Sequence, residues 1–123
     1  MDMPKIFDSE YHFCEILWDN EPVRSTELVR LCAEKLGWKK STTYTVIKRL
    51  TERGVVKTEN AVVTALVSRD AVQRAESRAF VEKNFGGSLP QFLAAFAGGR
   101  GLTSDEAEAL RQMIDRFEED GNG

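Results

Sequence analysis

The sequence predicts a mainly α protein with a small β-hairpin: an N-terminal winged helix-turn-helix followed by a C-terminal helical dimerisation region. Three observations predict it. Three short amphipathic patterns run directly into a β-branched stretch, "VVKTENAVVTALV". The third pattern gathers the cations of an otherwise acidic chain. The C-terminal half then carries apolar stripes too short to build a core of their own.

The first helical pattern runs from about Phe7 to Trp18, with Phe7, Tyr11, Cys14, Leu17 and Trp18 at steps of three and four. "DNEP" ends it, because Pro22 disfavours helix at the residue before it. Ser25 is the expected N-cap of a second helix, with Glu27 near the positive end of its dipole. Leu28, Val29, Cys32 and Leu36 form its inner face, and Gly37 stops it.

The third helix lies in "WKKSTTYTVIKRLTERG", with Ser41 as expected N-cap and Gly54 as the residue that ends it. At about 100° per residue from Thr43, the positions of Ile47, Leu50 and Gly54 fall within about 40° and Val46 within about 60°. That arc is the expected buried seam. Ser41, Thr45, Lys48 and Glu52 fall opposite, flanked by Thr42 and Arg49. The exposed face therefore offers small hydroxyls first and cations further along. "VVKTENAVVTALV" alternates, is interrupted by "TENA", and reads as a hairpin. Three helices and then a hairpin is the order of a winged helix-turn-helix.

The second part is helical again. "SRDAVQRAESRAFVEKNF" starts at Ser68 and stops at Gly86 and Gly87. "SLPQFLAAFA" has Ser88 as cap, Pro90 in the first turn, and Leu89, Phe92, Leu93 and Phe96 on one face. "GGRG" breaks it, and "TSDEAEALRQMIDRF" opens with Thr103 and Glu106 in capping-box spacing. Ala107, Leu110, Ile114 and Phe117 line its stripe. The stripes need something to face, and a second copy related by a two-fold axis is the economical answer. Packing back on the N-terminal part is the alternative. The expected division is residues 1–70 for the winged helix and 71–123 for dimerisation.

A net charge of −3 over 123 residues argues against nucleic acid, but its distribution argues for it. Between Lys39 and Lys57, six cations (Lys39, Lys40, Lys48, Arg49, Arg53, Lys57) face Glu52 alone, a local balance of +5. From Glu76 onward nine acids and five bases give −4. Such asymmetry marks a basic working surface. Ser41, Thr42 and Thr45 suit phosphate or thymine-methyl contacts, and Lys48 and Arg49 suit phosphate or guanine. Lys39 and Lys40 would meet the backbone of one strand, and Lys57, at the base of the hairpin, the flanking backbone.

Other classes find little support. The one histidine, His12, stands in the first helical pattern without a catalytic partner. Cys14 and Cys32 form no CxxC and, with His12, lack a fourth zinc ligand. They read as small core residues, so no metal and no cofactor is expected. No phosphate loop occurs. No signal peptide or membrane span is expected, which places the chain in the cytoplasm. On residues alone, a winged helix used for protein–protein contact without DNA stays open.

"EILWDN", "GWKKSTTYTVIKRLTERGVV" and "GGSLPQFLAAF…LTSDEAEALRQMID" together resemble the penicillinase-repressor and methicillin-resistance-repressor family over nearly the whole chain. The tryptophan followed by Thr42, Thr45, Arg49, Leu50 and Gly54 carries the likeness most specifically. The resemblance implies a homodimeric repressor whose third helices enter major grooves of a palindromic operator in double-stranded DNA, controlling antibiotic-resistance or stress-response genes. Contacts would come from Ser41, Thr42, Thr45 and Arg49. Ser41 stands where several relatives have lysine, and Glu59 where relatives are often basic, so a different operator and a weaker wing contribution are expected. In the resistance repressors a membrane sensor-protease system triggers cleavage at an Asn–Phe bond. The matching pair is Ala95–Phe96, which keeps the phenylalanine and not the asparagine. No cysteine follows Cys32, so the copper-responsive mechanism of one branch is not expected.

Overall fold

The computed structural model describes residues 3–121. Among them the order is α1 (Asp8–Asn20), β1 (Val23–Arg24), α2 (Ser25–Leu36), α3 (Lys40–Glu52), β2 (Val56–Glu59), β3 (Val62–Ala65), α4 (Arg69–Phe85), α5 (Leu89–Ala97) and α6 (Ser104–Gly121). The chain is mainly helical with one small antiparallel sheet, as the sequence predicts. It divides into two compact units, Met1–Ser77 and Arg78–Gly123, with the division inside α4.

In the first unit α1, α2 and α3 wrap a core built on Phe13, Leu17, Leu28, Leu50, Val56 and Val63, each at most 1 % exposed. Trp38 stacks parallel to Phe13, with ring centroids 6.3 Å apart. The face that α1 buries is Glu10, Phe13, Cys14, Ile16 and Leu17. This corrects the expected stripe: Phe7 precedes the helix and is exposed, while Tyr11 and Trp18 are half-buried at the margin. Trp18 reaches out of α1 to donate from its indole nitrogen to the Val67 carbonyl at 3.0 Å. A step-counting argument centres the stripe wrongly when aromatic side chains sit on its edge and point sideways.

Helix ends follow backbone geometry more than side-chain caps. Gly54 takes φ +80. Its N–H bonds the Thr51 carbonyl at 3.1 Å, and the Val55 N–H bonds that of Leu50 at 2.9 Å. This is a Schellman motif, with the apolar pair Leu50 and Val55 packed beneath it. At the other end the expectation is corrected: α3 begins at Lys40 with Lys39 as N-cap and no side-chain capping bond, so Ser41 lies inside the first turn. Likewise Arg24, not Ser25, is the N-cap of α2. Ser25 is buried, and its N–H donates to Ala61 O at 2.9 Å.

That bond docks the wing on the start of α2. β2 and β3 pair with Glu59 opposite Val62, leaving a two-residue turn of Asn60 and Ala61, whose φ values are 52 and 64. Two left-handed residues are what a tight hairpin needs to match strand twist. Asparagine tolerates that conformation better than alanine does. Ala61→Gly is therefore expected to raise the unfolding free energy by about 0.5–1 kcal/mol, read as a higher urea midpoint at unchanged slope. β1 adds a third strand, giving the order β1-β3-β2.

In the second unit the caps match their expectations. Ser88 Oγ accepts from the Gln91 N–H at 3.2 Å, and Thr103 and Glu106 exchange both capping-box bonds, at 2.9 and 3.1 Å. Phe80, Phe85, Phe92 and Phe96 form a chain of ring contacts, with centroids 5.6–6.2 Å apart. No described residue of this unit is buried. Leu89, Phe96, Ile114 and Phe117 are each more than half exposed, and Phe92, Leu93 and Leu110 are half-buried. An apolar cleft of about 370 Å³ lies between α5 and α6, lined by Phe92, Leu93, Phe96, Leu102 and Leu110 among others.

Candidate nucleic-acid interface

α3 presents two faces. Thr43, Val46, Ile47 and Leu50 point into the core, with Thr43 and Leu50 fully buried. Ser41, Thr42, Thr45, Lys48 and Arg49 are exposed on the other side, with Lys40 at the start of the helix and Lys39 just before it. The buried Thr43 hydroxyl has no hydrogen bond of normal geometry. Its polar neighbour is the Cys32 thiol, which burial pushes up and Thr43 partly brings back. Burial, helped by the charges of Glu10 and Glu76, pushes the Cys14 thiol up to about 12. Both cysteines are free and buried. They serve as packing, because a thiol kept protonated is a poor nucleophile.

The cations of this region fall into two groups. Arg53 donates from both terminal guanidinium nitrogens to the carboxylate of Glu10, at 2.7 and 2.5 Å. Lys57, on β2, stands 3.7 Å from Glu59. Among the described residues, no acid lies within ion-pair distance of Lys39, Lys40, Lys48 or Arg49. The unpaired charges thus lie along α3 and the residue before it. The absence of a side-chain cap also leaves the first-turn amides of α3 without intrahelical or side-chain acceptors. Free amides at the N-terminal end of α3, with hydroxyls and unpaired cations on its exposed side, are donors of the kind a phosphate backbone accepts from.

Ser41, Thr42, Thr45, Lys48 and Arg49 share the exposed arc of α3, Lys39 and Lys40 are exposed at its start, and Lys57 lies on the sheet near Glu59. Tyr44 and Arg24 are also exposed. Tyr44 stands on α3 at the edge of the exposed arc, where the helical wheel shows it about 100° from Thr43. Arg24 stands on β1 opposite Val62. Nothing local in the sequence marks Arg24, because its neighbours come from a strand far along the chain.

Other chemistries lack a constellation. Among the described residues, no group of three His, Cys, Asp or Glu could hold a metal ion. No helix among them is long and apolar enough to cross a membrane.

Three packed helices, the third exposed along a basic face, followed by a hairpin docked on the second, define a winged helix-turn-helix of the DNA-binding class. The family model for the penicillinase repressor matches residues 6–116. The chain belongs to that family, whose members are winged-helix DNA-binding repressors and not enzymes. It is 23% identical over 116 residues to the methicillin resistance regulatory protein MecI of Staphylococcus aureus, covering 91% of this chain and 94% of that protein. It is 29% identical over 114 residues to an uncharacterized 16.5 kDa protein in the ptsI 3′ region of Latilactobacillus sakei, covering 89% and 78%. The solution structure of the DNA-binding domain of the repressor BlaI superposes with a TM-score of 0.49 at 21% identity, over 58% of this chain and 93% of that one.

Proposed function

We propose that the chain acts as a homodimer that seats α3 of each copy in the major groove of a palindromic operator and represses the gene downstream. Residues 1–70 bind DNA in this reading, and residues 71–123 dimerise. The observation that carries it is the sorting of cations: those on and just before α3 are unpaired, while Arg53, beyond its end, is held by an internal acid. Ser41, Thr42 and Thr45 with Arg49 read or hold the operator, Lys39, Lys40 and Lys48 neutralise phosphates, and Lys57 reaches the flanking backbone. Glu59 at the wing keeps the hairpin's contribution small.

Leu89, Phe92, Leu93 and Phe96 on α5, with Leu110, Ile114 and Phe117 on α6, form the dimer surface. Contiguous apolar exposure of this kind marks an interaction surface. The relative's role in methicillin resistance makes resistance genes the first class of target to test, with stress-response genes next. Both Ala95 and Phe96 are exposed but lie within α5. Cleavage there by a sensor-linked protease would require that helix to open locally first. An operator-bound repressor of this kind works in the cytoplasm.

The test is a salt titration of operator binding by the wild type and by Arg49→Ala. Wild-type affinity should fall steeply with salt, because about six to ten phosphates are neutralised per dimer. Arg49→Ala should cost about 1–3 kcal/mol, confined to the cognate sequence if Arg49 reads a base and uniform across sequences if it holds phosphate. Absence of specific duplex binding by the folded protein would favour a protein-interaction module.

A further inference from the structure

We propose that Arg53 is a positioning residue whose task is to occupy Glu10, so that Glu10 does not capture Arg49 from the DNA-facing surface of α3. The inference rests on the reading of α3 as the operator-binding helix.

Glu10 is 4 % exposed, an unusual burial for a carboxylate. One of its oxygens accepts from the Phe7 N–H at 2.9 Å and from Arg53 Nη1 at 2.7 Å, and the other from Arg53 Nη2 at 2.5 Å. Arg53 Nη1 also donates to the Lys5 carbonyl at 2.9 Å, and the guanidinium lies 5.2 Å from the centre of the Phe7 ring. One side chain at the end of α3 thereby ties down the N-terminal segment and α1. A fork of this kind fits a carboxylate at both oxygens, which a lysine could not match.

Arg49 stands four residues before Arg53, the helical C-cap of α3, so their side chains leave neighbouring positions one turn apart. Its positive charge already contributes to holding the Glu10 carboxyl below its ordinary range, behind the larger effects of the Arg53 and Phe7 hydrogen bonds. Yet Arg49 makes no ion pair of its own among the described residues. Glu10 is thus a buried anion within the field of two arginines and bonded to one. A buried carboxylate left unpaired is costly, and it either takes up a proton or pairs with a cation within reach. With Arg53 removed, the remaining cation whose charge already acts on Glu10 is Arg49, one helical turn back from Arg53. The operator would then have to compete with an internal acid for its own contact.

The experiment measures operator affinity for Arg49→Ala, Arg53→Met, the two combined, and Glu10→Gln/Arg53→Met. Arg53→Met is expected to weaken binding by about tenfold or more, close to the effect of Arg49→Ala. Adding Arg49→Ala to Arg53→Met should cost less than about twofold further, because the contact is already lost. Non-additivity of that size is the signature of one shared contact. Glu10→Gln/Arg53→Met should bind within about twofold of the wild type. Additive losses, or no restoration by Glu10→Gln, would overturn the proposal, since a purely structural Arg53 or one that touches DNA gives those results. Wild-type binding by Arg53→Met would overturn it too.

Should Arg53→Met fail to fold by circular dichroism, Glu10→Gln and Glu10→Gln/Arg53→Met are compared instead. Equal affinities support the inference, and a tenfold loss in the second defeats it. Should Arg49→Ala alone leave affinity unchanged, Arg49 is no operator contact and this inference falls, while the other contacts proposed for α3 stand. An Arg49→Ala loss with the wrong Arg53 pattern defeats only the inference.

Discussion

Phe96→Asp is expected to convert the protein from dimer to monomer in sedimentation and to weaken operator binding by about a hundredfold or more. Phe96 is 51 % exposed on α5, beside Phe92 and the apolar cleft shared with α6. Fully burying a phenylalanine against a second copy contributes about 1.5–3 kcal/mol, and the two-fold axis applies the gain twice. Aspartate removes that gain and adds an anion with no partner at the joint. Both copies change at once, so the expected effect on the dimer is large. The loss in DNA binding follows from avidity. Two linked half-site readers bind about 10²–10⁴ more tightly than one, because the second engages at high effective concentration. Phe96 lies in the second unit and α3 in the first, so the α3 surface should stay folded. A dimer that survives the substitution moves the interface elsewhere. A monomer that keeps wild-type operator affinity breaks the link between assembly and binding.

The features legible in the sequence are those decided by near neighbours. The buried seam of α3 follows from steps of three and four, and Thr43, Val46, Ile47 and Leu50 lie where the wheel puts them. Gly54, Ser88 and the Thr103–Glu106 pair end or begin helices as expected, since a cap is a matter of a few consecutive residues. What stayed hidden depends on distant partners. β1 is two residues long and exists because Val23 and Arg24 meet Val63 and Val62, far along the chain. A two-residue strand leaves no alternation to detect.

The site shows the same division. Counting charges from Lys39 to Lys57 treats Arg53 as one more cation for DNA, whereas the structure bonds it to Glu10, 43 residues earlier. Nothing about Glu10 in a helical pattern announces that it is buried. Its carboxylate goes inside because Arg53 meets it there, and neither residue predicts the other from sequence spacing. The exposure of Lys48 and Arg49 follows from the helical wheel, but that no distant acid pairs with them does not, as Arg53 shows. Ser41 was legible as a surface hydroxyl and illegible as to role. Its position inside the first turn, with Lys39 as N-cap, leaves its hydroxyl free of capping.

Leu50→Ala is expected to lower the unfolding free energy by about 2–5 kcal/mol while leaving operator affinity per folded molecule unchanged. Leu50 is fully buried, and its carbonyl accepts the Val55 N–H that turns the chain from α3 into the wing. The deleted carbons would leave a cavity in the core where α3 packs on α2 and β2, and a packed interior closes such a gap only in part. Against a total of about 5–15 kcal/mol for a domain, the loss is large. The neighbouring Arg49 points the other way, and its backbone is held by the same helix in both proteins. A helix serving two surfaces should therefore be separable by single substitutions: Leu50→Ala moves the urea midpoint and not the corrected affinity, and Arg49→Ala moves the affinity and not the midpoint. A Leu50→Ala protein that is fully folded at low temperature yet binds operator tenfold more weakly would show that the exposed side chains of α3 depend on the exact packing behind them, and that the helix acts as one rigid unit.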